Sequence, residues 1–252
     1  MAPAVNKMNA FKKIAVFLFQ FWIWLGFFPL LVIATAFFAL LSLILIPMVG
    51  ASKTSRICGV SWSQFVCLTT PVWVRVNGRH HVDEKQSYII IANHQSQYDI
   101  VALYGWLGID FRWVMKKELR KVPGLGIACE KLGHIFVDRS NTKRAMHSLE
   151  TAKKTIADGV SVIFFPEGTR SETGELRRFK KGAFRMATEL DLPLLPITLK
   201  GTRERLRAKS LVITPGPVEM TIHEPIPVDG RTDRELLTLS QSIMQDALFG
   251  SE

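Results

Sequence analysis

Apolar positions along this chain fall into two regimes. Between Lys13 and Lys53 lie 39 residues without a charge, Ile14 to Ser52, most of them large and hydrophobic. Beyond Lys53 the apolar residues come in short runs separated by polar turns. A helix crossing a membrane needs about 20 apolar residues, and 39 in one straight helix would reach about 58 Å against a hydrocarbon thickness of about 30 Å. Pro29 removes a helix hydrogen bond and crowds the preceding turn, so the pattern predicts two apolar helices meeting near Phe27-Phe28-Pro29. A cleaved signal peptide is the competing reading, with Lys7, Lys12 and Lys13 as its basic start and Ala34-Thr35-Ala36 as its cleavage site. The apolar run continues to Ile46, which a cleaved signal would not need, so a retained membrane anchor is expected.

Residues 51–70 form a short amphipathic connector, and strands and helices alternate from there. Val72–Val76 alternates as a strand does, and Asn77-Gly78 marks a hairpin or tight bend. Strands are predicted at Tyr88–Ala92, Phe111–Met115, Ile135–Val137, Val162–Phe165, Leu194–Leu199 and Val218–His223. Helices are predicted at Tyr98–Leu107, Thr142–Ala157, Lys181–Glu189 and Arg234–Leu248, with an interrupted one at Leu119–Leu132 around Pro123-Gly124. Continuous apolar strands alternating with helices predict an α/β layered domain with a mostly parallel central sheet. The expected division is an anchor and connector over residues 1–70 and a catalytic-type domain over 71–252.

Charge sharpens this picture. Residues 51–252 hold 29 Lys and Arg against 22 Asp and Glu. A basic domain tied to a membrane most simply faces anionic lipid on the cytoplasmic side. Nucleic acid is the other usual partner of a basic surface, but no zinc-finger spacing or RNA-binding signature is present, so no nucleic-acid partner is expected. Cys58, Cys67 and Cys129 are an odd number without metal spacing, which predicts reduced thiols and no metal site.

Sites in α/β folds gather at the carboxyl ends of strands. Four polar clusters fall there: "NHQSQYD" (Asn93–Asp99), Lys116-Lys117-Glu118, Asp138-Arg139, and Pro166-Glu167-Gly168-Thr169-Arg170-Ser171. Ser96 with Asp99 fits a helix capping box, which explains those two residues and leaves His94 over. A histidine held by a carboxylate at one ring nitrogen keeps the other free to take a proton. With no serine beside it, the nucleophile would be a substrate hydroxyl. Lys116, Arg139 and Arg170 would hold a phosphate, Arg by forked contacts and Lys as a point charge. His134 is a lesser candidate base, and His80, His81, His147 and His223 read as surface residues.

"NHQSQYD", "GHIFVDR", "FPEGTRS" and "LPI", in that order, resemble the four sequence blocks of the glycerolipid acyltransferase superfamily. The bacterial 1-acyl-sn-glycerol-3-phosphate (lysophosphatidic acid) acyltransferases are the nearest group. The likeness runs from about Trp73 to Leu199 and includes "MKKEL" and "FKKGAF". It implies that His94 is the general base and that Asp99 orients it. It further implies that Arg139, Glu167, Gly168 and Arg170 are acceptor-binding positions and that Leu195-Pro196-Ile197 lies near the acyl donor or acyl chain. Thr169 and Lys116 are counted with the acceptor-binding residues, and Glu167 bracing its loop is the equal alternative for that residue. The implied reaction moves a fatty acyl group from acyl-CoA or acyl-carrier protein to the sn-2 hydroxyl of lysophosphatidic acid, giving phosphatidic acid without a further cofactor or metal. The implied place is the bacterial inner membrane, with the site on the cytoplasmic face. The same chemistry on another lysolipid, such as a lyso-ornithine lipid or lysophospholipid, is the alternative, and a non-catalytic lipid-binding relative is a third reading. A hydrolase is disfavoured because no Gly-x-Ser-x-Gly elbow occurs.

Overall fold

The computed structural model describes residues 10–138, 156 and 160–250, with side chains from residue 14 onward. Helical hydrogen bonding runs without a gap from Ala10 to Val49: α1 (Ala10–Trp22), a π-helical turn (Ile23–Phe27) and α2 (Phe28–Val49). The two apolar helices thus meet at Phe27, but the break expected at Pro29 is absent. Pro29 lies in the first turn of α2, directly after the π-turn. The looser i→i+5 pattern there shifts the register where the proline withdraws its donor.

One side of this rod is seated on protein. Ile23 and Phe27 are buried in the same cluster as Val66, Val72 and Tyr98. Farther along, Thr35 Oγ1 accepts the Trp62 indole N–H at 3.0 Å, and Ala39 and Ser42 are buried. The other side, including Phe17, Phe21, Leu25, Ile33 and Phe37, is exposed. The connector is α3 (Ala51–Thr69), as its amphipathic pattern predicts.

Among the described residues the sheet has seven strands: β1 (Val72–Asn77), β2 (Ile89–Ala92), β3 (Phe111–Lys116), β4 (Ile135–Val137), β5 (Ser161–Phe164), β6 (Leu194–Lys200) and β7 (Gly216–Ile222). Their spatial order is β1-β7-β6-β2-β5-β3-β4. All pairings are parallel except β6 with β7, which confirms the mostly parallel α/β reading. Because β1 and β7 run against the other five, their starting residues lie at the edge where β2 to β6 finish. Asn77-Gly78 makes the tight bend and not a hairpin: Gly78 has φ +78°, and β1 pairs with distant β7.

Every residue of β2 is buried, because both neighbours and both faces are covered, and this is why it reads as a continuous apolar run. Ile90 and Ala92 face α3 and α4 (Tyr98–Trp106). Ile89 and Ile91 face α6 (Gly182–Leu190) and α7 (Asp233–Phe249). The interrupted helix resolves into a 3-10 turn (Lys117–Lys121) and α5 (Leu125–Lys131). The helix expected over Thr142–Ala157 lies outside the described residues.

Candidate active site

Strand β2 ends at Ala92, and the side chain of Asn93 continues its pairing with β6. Asn93 Nδ2 donates to Leu199 O at 3.0 Å, and Oδ1 accepts the Leu199 N–H at 2.7 Å. With a side chain doing the work of a strand residue, the backbone is free to turn. His94 follows, its Nδ1 2.8 Å from Asp99 Oδ2. The same oxygen accepts the N–H groups of Gln95 (2.6 Å) and Ser96 (2.8 Å), so it draws the loop around itself. Only half of the expected capping box forms. Asp99 reaches back to the Ser96 N–H, but Ser96 Oγ accepts from the Tyr98 N–H and donates to Leu206 O.

An ionised Asp99 is an acceptor only, which places the Nδ1 proton on His94 between them, so that in the neutral imidazole Nε2 is the nitrogen with a free lone pair. The imidazole also lies flat on the Phe165 ring, 3.9 Å between centroids and 11° between planes. Trp113 stacks behind Phe165 at 5.9 Å. Ring rotation is thereby fixed by Asp99 and ring tilt by Phe165. Nothing in the motif spacing signals Phe165, although it directly precedes Pro166-Glu167.

The loop after β5 is bound to the His94 turn at three points. Glu167 Oε1 accepts the His94 N–H at 2.7 Å, the Ser171 N–H donates to His94 O at 2.7 Å, and Gln95 Nε2 donates to Gly174 O at 2.8 Å. Glu167 Oε2 accepts the Arg177 N–H at 3.0 Å. Both carboxylate oxygens are therefore engaged by backbone donors, and the residue is 3% exposed. Burial pushes this carboxyl up to about 7, while the two N–H groups pull it back down. Gly168 has φ +75°, and a Cβ there would sit 2.7 Å from Lys180 Nζ. Thr169 is exposed and Arg170 half-buried on the same loop.

Lys116 stands exposed at the carboxyl end of β3, a loose 3.9 Å from Glu118. Its neighbour Lys117 pairs with buried Asp138 at 2.6 Å. Arg139 lies outside the described residues. His134 is far from a base: its Nδ1 accepts the Trp113 N–H and its Nε2 meets Tyr104 Oη, and burial holds it down at about 3. Thr198 Oγ1 occupies His223 Nε2 at 3.0 Å. All three cysteines are free thiols.

A family profile described as acyltransferase matches residues 73–200, which contain His94, Asp99 and the Glu167 loop. 1-acyl-sn-glycerol-3-phosphate acyltransferase alpha of Ovis aries is 31% identical over 191 residues, 71% of this chain and 67% of that protein. The chain belongs to the 1-acyl-sn-glycerol-3-phosphate acyltransferase family. The Homo sapiens protein of the same name is 31% identical over 176 residues, so the matched stretch spans 62% of that relative and 69% of this acyltransferase-family chain. The solved 1-acyl-sn-glycerophosphate (LPA) acyltransferase PlsC of Thermotoga maritima superposes with a TM-score of 0.76 at 27% identity, covering 94% of this chain and 95% of that one.

Proposed function

We propose that the protein transfers a fatty acyl group from an acyl thioester to the sn-2 hydroxyl of 1-acyl-sn-glycerol-3-phosphate, forming phosphatidic acid. The observation that carries this reading is the His94–Asp99 pair at the carboxyl edge of the sheet, with Nδ1 held at 2.8 Å and the hydroxyl of Ser96, the motif's serine, turned to Leu206 O and not to the imidazole. His94 Nε2 takes the hydroxyl proton as the oxygen attacks the thioester carbonyl. The new C–O bond forms, the tetrahedral intermediate collapses, the C–S bond breaks, and the imidazolium returns its proton to the leaving thiolate. Asp99 holds the tautomer and stabilises the imidazolium while it exists. Arg170, and Arg139 with it, would bind the acceptor phosphate, with Lys116 at the neighbouring strand end. The acyl donor is acyl-CoA or acyl-carrier protein, and the scheme draws on no other cofactor.

The exposed apolar face of α1 and α2 and the basic character of the domain support attachment to an anionic leaflet, at the cytoplasmic face of a bacterial inner membrane. In the same reading, residues 1–70 serve as anchor and connector and 71–252 as the acyltransferase domain. The test is purified protein offered lysophosphatidic acid, a lyso-ornithine lipid and lysophosphatidylcholine, each with acyl-CoA and with acyl-carrier protein. Dominant turnover of lysophosphatidic acid is expected; preference for another lysolipid would replace the acceptor, and no transfer at all would end the proposal.

A further inference from the structure

The loop that joins β6 to β7 carries two large apolar side chains at its tip. Leu211 is 57% and Val212 53% exposed, next to one another in an otherwise polar and basic segment. The loop is closed at its base by the Thr214 N–H on Arg205 O at 2.9 Å, so the tip is held out from a fixed stem. It emerges at the site edge, because β6 ends there and β7 starts there.

Two hydrogen bonds tie this loop to opposite partners. At its start, Leu206 O accepts from Ser96 Oγ at 2.7 Å, inside the His94 turn. At its end, Ile213 O accepts from Gln20 Nε2 at 2.7 Å, on the apolar rod. Ile213 itself is buried in the cluster that contains Ile23 and Phe27. Leu211 and Val212, directly before Ile213, are therefore exposed next to α1, whose Phe17 and Phe21 are exposed as well. Arg207 is exposed beside them, while Lys209 is paired with Glu172 at 2.6 Å.

We infer that the Leu211–Val212 tip inserts into the lipid leaflet alongside α1, as a second membrane contact that seats the His94 turn over the bilayer. An adjacent pair of exposed apolar residues, next to an apolar helix and flanked by an exposed cation, is the surface an anionic leaflet accepts. This inference rests on the rod being membrane-bound, and the test separates the two.

An environment-sensitive fluorophore is attached at Leu211→Cys or at Phe21→Cys in a Cys129→Ser background, since Cys58 and Cys67 are buried. Vesicles contain phosphatidylcholine and phosphatidylglycerol with doxyl-labelled lipid as quencher. Quenching at both positions is expected. Quenching at position 21 with an aqueous label at 211 overturns the inference and leaves the anchor standing. An aqueous label at both overturns both. Protection of the 211 label by acyl-carrier protein in place of vesicles assigns the tip to an acidic protein and also overturns it. As the functional counterpart, L211D/V212D should lower turnover of vesicle-borne acceptor about tenfold, the equivalent of about 1.4 kcal/mol of lost insertion. Turnover of a short-chain acceptor dispersed as monomers should stay unchanged; equal turnover on vesicles would count against insertion.

Discussion

Asp99 holds His94 through one oxygen: Oδ2 lies 2.8 Å from His94 Nδ1 and accepts two backbone N–H groups as well, while Oδ1 is buried without a partner among the described residues. Orientation of the imidazole and closure of the loop thus depend on the same atom. His94→Ala should lower kcat by about 10²–10⁴ with the fold intact, as removal of a positioned base does. Asp99→Asn can keep an oxygen on the backbone donors but loses the charge facing Nδ1. Its deficit should appear in kcat with acceptor KM little changed. Near-normal turnover in a well-folded His94→Ala protein would remove His94 from the chemistry.

Glu167 bears on pH. Its carboxyl titrates at about 7 in the folded protein against about 4.5 when unfolded, chiefly through burial. Between those values the folded state keeps a proton that the unfolded chain has released, so stability falls as pH rises from about 4.5 to about 7, and the cost is complete above that. Function runs the other way, because only the ionised carboxylate accepts from His94 and Arg177 without turning a proton toward either. Glu167→Gln should flatten the stability slope and lose one backbone hydrogen bond, at about 1–3 kcal/mol. It should also remove one component of the acid limb of kcat near pH 7. Unfolding midpoints across pH 5–8, read with the kcat profile of both proteins, check this; an unchanged slope would mean that Glu167 does not titrate there.

Asn93 is the stability counterpart. Both Leu199 backbone groups lean on its side chain in a fully buried position. Asn93→Ala should cost about 1–3 kcal/mol for each group left unpaired, and Asn93→Asp at neutral pH more, since it buries a charge and turns a carboxylate oxygen toward the Leu199 carbonyl. Denaturant midpoints order the three proteins, and an Ala variant as stable as the parent would contradict the pairing.

These relations differ in how far the sequence discloses them. His94 and Asp99 are five residues apart on one turn, so their meeting follows from local geometry and was readable. The strands were readable for the same reason, since apolar runs such as Ile89–Ala92 need no knowledge of their neighbours. Glu167 on the His94 N–H is a contact across 73 positions, made only because β2 and β5 are adjacent in the sheet. The Asn93–Leu199 pairing likewise waits on β6 lying beside β2. The π-turn before Pro29 escaped because proline predicts a disturbance, and whether a helix breaks or merely shifts register depends on what Ile23 and Phe27 pack against.

Arg170 and Arg139 carry the acceptor-phosphate proposal. A guanidinium meets two phosphate oxygens at once, and lysine cannot reproduce that fork. Arg170→Lys and Arg139→Lys should each raise acceptor KM about tenfold, close to the 1.4 kcal/mol of one good contact, with kcat less affected. Acceptor saturation curves decide; unchanged KM and rate at both positions would place the phosphate elsewhere.

The rod predicts a topology. Its apolar stretch, Ile14–Val49, has 36 residues, which at about 1.5 Å each is about 54 Å, far more than a bilayer core of about 30 Å. Protein contacts occupy much of it. Ile23 and Phe27 enter the domain core, Thr35 bonds Trp62, and Ala39 and Ser42 are buried. From Ile23 to Ser42 is about 29 Å of helix, nearly a full hydrocarbon thickness, held along the flank of a domain with a basic, polar surface. A crossing along the membrane normal would drag that flank into lipid or tear the helix from it, and either exposes buried polar groups at several kcal/mol each. The arrangement that keeps these contacts lays the rod in one leaflet, with its exposed side toward the acyl chains and Lys53 among the headgroups. Lys7→Cys in the Cys129→Ser background should then resist a membrane-impermeant thiol reagent in intact cells and react once they are opened. Efficient labelling from outside would establish a single crossing and refute the in-plane rod.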